Sequence, residues 1–348
     1  MTSDPVATVE AQLRADGPVV AAALEDAIAR SDLGPYLVPL MADYPSRGGK
    51  RLRPLLCLAT CRAFGGTTDD AIGAAVALEL LHNCFLIRDD IQDSSVIRRG
   101  QPSLHVRYGP ARALNASDAL LVLAFQQVTE VAERLSAPLA SRLTAEFVHL
   151  MWRTVEGQAA ELAWIDEARD DVSALEYLEM VTSKTSWYTT VHPCRVGALL
   201  GSGTDAYLDR LVPFTVRLGA LFQIRDDLSN LTGQTRSATY PAFDIIEGKR
   251  TLVLAHLLEH ASPGDRDRVL QCLGPRASGP PEERIDVVLA LMHRYGSIEY
   301  ARQFAEALAA DALDEFTEAF APARGTTDLQ FLVALVPYLL GGETDHDS

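Results

Sequence analysis

Apolar residues recur three and four positions apart over residues 71–85, 116–132 and 301–310, with Ala, Leu and Glu abundant. This spacing lines up one face of an α-helix. Few segments alternate as a half-buried strand would. Asn115, Ser117 and Asp118 stand just before the apolar run 119–125 and are read as N-capping residues, while Gly201-Ser202-Gly203 closes another helical stretch. A further apolar helix is expected to begin near Pro54, and Pro193 to kink or end the helix that reaches it. Residues 274–281, rich in Gly and Pro, read as a surface loop because helical sequence resumes beyond them. The polar tail from about 341 should fray. The pattern predicts an all-α fold, a single multi-helix bundle over residues 1–348.

Composition adds size and sign. With 48% of 348 residues apolar and 22% charged, the chain can bury a large core. A formal charge of -16 argues against nonspecific nucleic-acid binding, which needs surplus Lys and Arg, so a phosphate ligand must be held by local basic clusters or by metal ions. Residues 1–5 lack the basic start and apolar stretch of a signal peptide, and no uncharged apolar run is long enough to span a bilayer; a cytoplasmic location is the expectation. Five scattered cysteines, Cys57, Cys61, Cys84, Cys194 and Cys272, without a C-x-x-C pair, read as reduced thiols, mostly in the core.

Candidate chemistry lies in two acidic clusters. Asp89, Asp90 and Asp93 form D-D-x-x-D at the end of an apolar helical segment, and at about 100° per residue Asp89 and Asp93 share one face. Their repulsion would be relieved by a hard cation such as Mg²⁺, although an acidic chain also carries such clusters on solvated faces. A second pair, Asp226 and Asp227, follows the apolar stretch 218–224, with Asn230 where a third aspartate would repeat the motif. Two such clusters facing each other across a bundle could clamp a diphosphate through metal ions. Cations stand close by: Arg98 and Arg99 follow the first cluster, and Lys50, Arg51 and Arg53 lie beside Gly48 and Gly49. Each suits diphosphate oxygens, and each alone could be a solvated basic turn.

In order along the chain stand Gly48-Gly49-Lys50-Arg51-Leu52-Arg53-Pro54, Asp89-Asp90-Ile91-Gln92-Asp93, Arg98-Arg99-Gly100-Gln101-Pro102-Ser103-Leu104-His105, Gly157-Gln158, Lys184-Thr185, Phe222-Gln223-Ile224-Arg225-Asp226-Asp227 and Glu247-Gly248-Lys249-Arg250-Thr251. With these landmarks the chain resembles the trans-isoprenyl diphosphate synthases, or polyprenyl synthetases. The resemblance implies an isoprenoid-synthase bundle with a central cavity and a Mg²⁺-dependent prenyltransferase, commonly a homodimer, that condenses isopentenyl diphosphate with an allylic diphosphate. It implies that Asp89, Asp93 and Asp226, with Asp90 and Asp227 in support, hold Mg²⁺, three ions in all, on the allylic diphosphate, which Arg98, Lys184 and Lys249 also contact. Lys50, Arg53, His82 and Arg99 would hold isopentenyl diphosphate, and Thr185 and Gln223 would steady the developing cation. Without the resemblance His82 would read as a core histidine, and Trp187, Tyr188, His192 and Pro193 read as core packing rather than cavity lining.

Departures from the family pattern bear on product and reaction. Asn230 replaces an aspartate, Thr239 stands where a diphosphate-binding lysine is usual, and the C-terminus lacks the basic residues that close some members' sites. Phe85 and Leu78 should lie under Asp89 with Cys84 turned further away. Some farnesyl-forming members carry aromatics at both the fourth and fifth positions before the first Asp, here Phe85 and Cys84, so the reading favours a C20 product, geranylgeranyl diphosphate, with C15 as its rival. Two other functions stay open: a class I terpene cyclase, which would not need the isopentenyl diphosphate pocket, and a noncatalytic partner subunit, which should have lost its first aspartate motif.

Overall fold

A computed structural model describes residues 4–232, 242–324 and 326–341; Thr239 and the tail beyond 341 lie outside them. The helices are α1 (Pro5–Ala29), α2 (Val38–Ser46), α3 (Leu52–Ala63), α4 (Thr68–Gln92), α5 (Leu104–Tyr108), α6 (Pro110–Ala132), α7 (Ala137–Asp166), α8 (Ala174–Val181), α9 (His192–Ser202), α10 (Val212–Thr232), α11 (Phe243–Glu247), α12 (Leu252–His260), α13 (Pro263–Cys272), α14 (Pro281–Arg294), α15 (Ser297–Ala319) and α16 (Thr326–Gly341). A π-helix, Thr182–Val191, joins α8 to α9, and Ile97–Arg98 pairs antiparallel with Gln101–Pro102 in a small hairpin after α4. The all-α expectation holds.

Helix α4 is the central post. A reciprocal capping box between Thr67 and Asp70 starts it. Its apolar side chains are buried on nearly every side against α3, α6 and α9. By length and composition alone it could cross a membrane, yet 67% of its most apolar stretch is buried within the protein, as expected of a core helix. The π-helix packs against α7 and α10, α10 against α15, and the terminal helices α1 and α16 against each other and α3. Thus α4, α7, the π-helix and α10 face a common interior. Four cysteines are buried, Cys272 is half-buried, and all are free thiols.

Two local expectations are corrected. The helix α6 starts at Pro110, after Gly109 at a positive φ of 85°, so Asn115 and Asp118 lie inside it. There Ser117 and Asp118 instead receive hydrogen bonds from Arg88. Pro193 does not end its helix either. It falls in the first turn of α9, at the junction where π register gives way to α, so its missing N–H interrupts no regular α-helical ladder.

Candidate active site

A cavity of about 520 Å³ lies between α4, α7, the π-helix and α10. One part of its wall is ionic, with Asp89, Asp226, Asp227, Asp244, Glu161, Arg98, Lys184 and Lys249; another is apolar, with Phe85, Leu86, Val155, Leu162, Met180, Tyr188 and Phe222. A second cavity of about 250 Å³ adjoins it and is lined by Lys50, Arg51, Arg225 and Tyr338. Arg53, His82, Arg99, Phe222 and Asp226 line both. Residues expected to bind two diphosphates thus surround two connected chambers.

The first acidic cluster sits on the last turn of α4, where the helix dipole already places negative charge. Cations compensate it. The Lys184 ammonium lies 3.5 Å from Asp89 Oδ1 and donates to Glu161 Oε2. Lys249 Nζ lies 2.9 Å from Asp93 Oδ2 and 2.8 Å from Glu247 Oε2. Burial pushes the Asp89 carboxyl up, but Lys184, Lys249 and Arg98 outweigh it and hold the group at about 2. At Asp93 burial wins, reinforced by Asp89 and Glu247 against the pull of Lys249, and the carboxyl rises to about 7. Burial also raises Asp226, and it takes Asp227 and Asp244 up to about 7. Each raised value records burial first and then the neighbouring carboxylates, which the cations nearby do not offset.

Asp90, expected to support the metal ligands, does not reach the cavity wall. It is fully buried and its carboxylate is spent: Tyr44 donates to Oδ2 at 2.5 Å, and Arg98 donates to Oδ1 from Nε at 2.9 Å and Nη2 at 2.5 Å. Asp227 is held similarly, by Tyr177 at 2.7 Å and Gln223 Nε2 at 2.8 Å, while keeping a place on the cavity wall. The Thr185 hydroxyl donates to Gln223 Oε1 at 2.9 Å, so one chain of hydrogen bonds fixes Tyr177, Asp227, Gln223 and Thr185. The remaining donors, Asp89, Asp93, Asp226 and Asp244, are hard oxygens in a charge-rich pocket and fit Mg²⁺. Among the described residues no three acidic, His or Cys groups are gathered as a closed metal site, because Lys184 and Lys249 stand among the carboxylates.

In the second chamber Arg53 donates from Nη2 to Tyr188 Oη at 2.7 Å and Thr189 Oγ1 at 2.8 Å, and Lys50 donates to Tyr338 Oη at 3.0 Å. His82 faces both chambers; burial, with Arg53 and Arg99 nearby, holds its pKa well below the usual value, and its buried Nδ1 has no protein partner. It is a wall residue, not a core one. The turn at Gly48 and Gly49 needs glycine: Gly49 has a φ of 126°, and a Cβ there would meet Arg99 Nη2 at 2.7 Å. Loss of a side chain lets the turn close on an arginine of the site.

Two further readings change. Cys84 does not open the cavity floor: it is buried against α6, with Sγ 3.2 Å from Ser117 Oγ, so Phe85 alone of that pair lines the cavity. Tyr188, read as packing, lines it too, whereas Trp187 and His192 do pack away from it against His149. Sequence reasoning did not place Glu161, Glu247, Tyr44, Tyr177 or Tyr338 in the site. Glu247 opens one of the quoted motifs but was given no role, and the others come from distant elements and carry no local signal.

Residues 35–292 match the family model described as Polyprenyl synthetase. The chain belongs to the polyprenyl synthetase family. Over 259 residues it is 36% identical to a short chain isoprenyl diphosphate synthase of Methanothermobacter thermautotrophicus, covering 74% of this chain and 77% of that one. It is 34% identical to a geranylgeranyl diphosphate synthase of Sulfolobus acidocaldarius, over 78% and 81% of the two chains. A solved geranylgeranyl pyrophosphate synthetase from Pyrococcus horikoshii Ot3 superimposes with a TM-score of 0.83 at 29% identity, over 96% and 98% of the chains. A polyprenyl synthetase is a prenyltransferase acting on isopentenyl and allylic diphosphates, generally with Mg²⁺.

Proposed function

We propose that this polyprenyl synthetase adds isopentenyl diphosphate to an allylic diphosphate and releases mainly the C20 product, geranylgeranyl diphosphate, working as a cytoplasmic homodimer with three Mg²⁺ ions. The observation that carries the reading is the junction of the two chambers, one carboxylate-rich and one cationic, at Arg53, His82, Arg99, Phe222 and Asp226. A terpene cyclase needs only the first chamber, and a noncatalytic subunit needs neither cluster intact. The C20 product rests on relatives named for it, with C15 the rival.

The allylic diphosphate enters the first chamber with its tail among Phe85, Val155, Leu162 and Met180. Ions held by Asp89, Asp93 and Asp226 would draw charge from the leaving group. Arg98, Lys184 and Lys249 donate to the same oxygens as the allylic C1–O bond breaks and the diphosphate departs with its electron pair. The Thr185–Gln223 pair turns oxygen dipoles toward the cation, and the apolar wall keeps water from it. Lys50, Arg53, Arg99 and His82 hold the second diphosphate so that its double bond reaches the cation, forms the new C–C bond and loses a proton to the released diphosphate. The test is radiolabelled isopentenyl diphosphate with dimethylallyl, geranyl or farnesyl diphosphate and Mg²⁺, and with excess chelator as control. Label in a C20 alcohol after phosphatase treatment is expected; hydrocarbon from an allylic diphosphate alone would make the protein a cyclase.

A further inference from the structure

Resting on that reading, we propose that Tyr188 is a specificity-determining residue: its ring, meeting Phe85 inside the first cavity and held by Arg53, sets how far the growing prenyl chain can extend. Phe85 lies one helical turn before Asp89, about 6 Å further into the protein along α4. Tyr188 lies the same number of residues beyond Lys184 on the opposite wall, in the π-helix. The two rings meet edge to face across the cavity, with centroids 5.4 Å apart and planes at 82°, and both line it. They therefore bar the direct path along α4 below the ionic wall. Growth must pass along the α7 and α8 side, by Val155 and Met180.

Tyr188 is also fixed in place. Its hydroxyl accepts from Arg53 Nη2 at 2.7 Å, and the Arg53 guanidinium carbon lies 4.3 Å from the ring centroid. One tyrosine thus ties the cationic chamber to the apolar one, and replacing it should act on both in separable ways. Removing the ring opens the path past Phe85. Removing only the hydroxyl leaves the ring as a stop but frees Arg53 from one of its two side-chain acceptors.

The experiment compares wild type, Tyr188→Leu, Tyr188→Trp and Tyr188→Phe for product length and for the KM of isopentenyl diphosphate, with circular dichroism melts reporting folding. Tyr188→Leu should lengthen the main product by at least one C5 unit, and Tyr188→Trp should shorten it. Tyr188→Phe should keep the length and raise the KM about fivefold, the usual effect of one lost hydrogen bond. A folded Leu variant with the wild-type distribution would overturn the proposal. If Leu does not fold, an unchanged distribution in Trp does so, as does a Phe variant whose product lengthens. Absence of label incorporation by wild type would instead sink the proposed function and is distinguishable from all of these.

Discussion

Replacing Tyr44 with Phe tests whether the aspartate motif is held by a residue outside every recognised motif. The Tyr44 side chain is 1% exposed, and its hydroxyl makes two bonds: it donates to Asp90 Oδ2 at 2.5 Å and accepts from the Leu104 backbone N–H at 2.9 Å. The first is charge-assisted, worth about 1.5–3 kcal/mol, and the second leaves a buried donor unpaired at a cost of about 1–3 kcal/mol. Arg98 stays on Asp90, so no carboxylate is left bare. Tyr44→Phe should therefore lose about 3 kcal/mol, a large share of the ~5–15 kcal/mol typical of folded proteins. Because Leu104 follows the hairpin carrying Arg98 and Arg99, kcat/KM should fall about tenfold. Urea unfolding followed by circular dichroism gives the first number and label incorporation the second. A loss below about 1 kcal/mol with unchanged kinetics would show that Asp90 and the hairpin do not depend on Tyr44.

Gly157→Ala should cut turnover at least about tenfold and lower stability, because the new Cβ would stand 2.2 Å from the Lys184 backbone nitrogen and push the π-helix from its place; steady-state rates and melts read both. Tyr338→Phe should raise the KM for isopentenyl diphosphate about fivefold and leave that for the allylic substrate unchanged, since its hydroxyl accepts from Lys50 and it lines the second chamber and not the first; an equal rise in both refutes this. Burial pushes Glu146 up, but hydrogen bonds from Arg195 and His192 outweigh it and depress its pKa from 4.5 to about 2. Its contribution, on the order of 3 kcal/mol, is present above about pH 4.5 and lost as pH falls toward 2, and unfolding curves of Glu146→Gln should lack that step.

The sequence made the helices legible where apolar spacing is long and regular, as in α4, and made the cations of the two cavities legible because Arg98, Arg99 and Lys50 stand in compact motifs. It hid what depends on contact between distant segments. Nothing near Asp90 announces Tyr44, and nothing near Lys184 announces Glu161 on α7. Asn115 and Asp118 looked like caps because their side chains favour that position, yet Pro110 and Gly109 set the start one turn or more earlier. Counting along the helix turned Cys84 away from the face of Asp89, but it gives a direction and not the neighbour met there, here Ser117. Tyr188 escaped because the π register is not encoded in apolar periodicity.

The two chambers differ in how many carboxylates they hold, and on the proposed reading that difference orders the chemistry. In the first, Asp89, Asp93, Asp226, Asp227, Asp244, Glu161 and Glu247 gather around Lys184, Lys249 and Arg98, while Arg53, Arg88 and Arg250 on the same wall bond other groups, so carboxylates are concentrated where the ionic wall lies. In the second, Lys50, Arg51, Arg53, Arg99 and Arg225 outnumber Glu79 and Asp226, so a diphosphate is attracted without help from a metal. On that reading, divalent cations would be held by the first chamber's carboxylates at the end where the C–O bond breaks, and the cationic chamber would bind its diphosphate without them. On the same reading isopentenyl diphosphate keeps its diphosphate because its double bond is one carbon too far from C1 to stabilise a cation there, and its chamber need only bind and orient it.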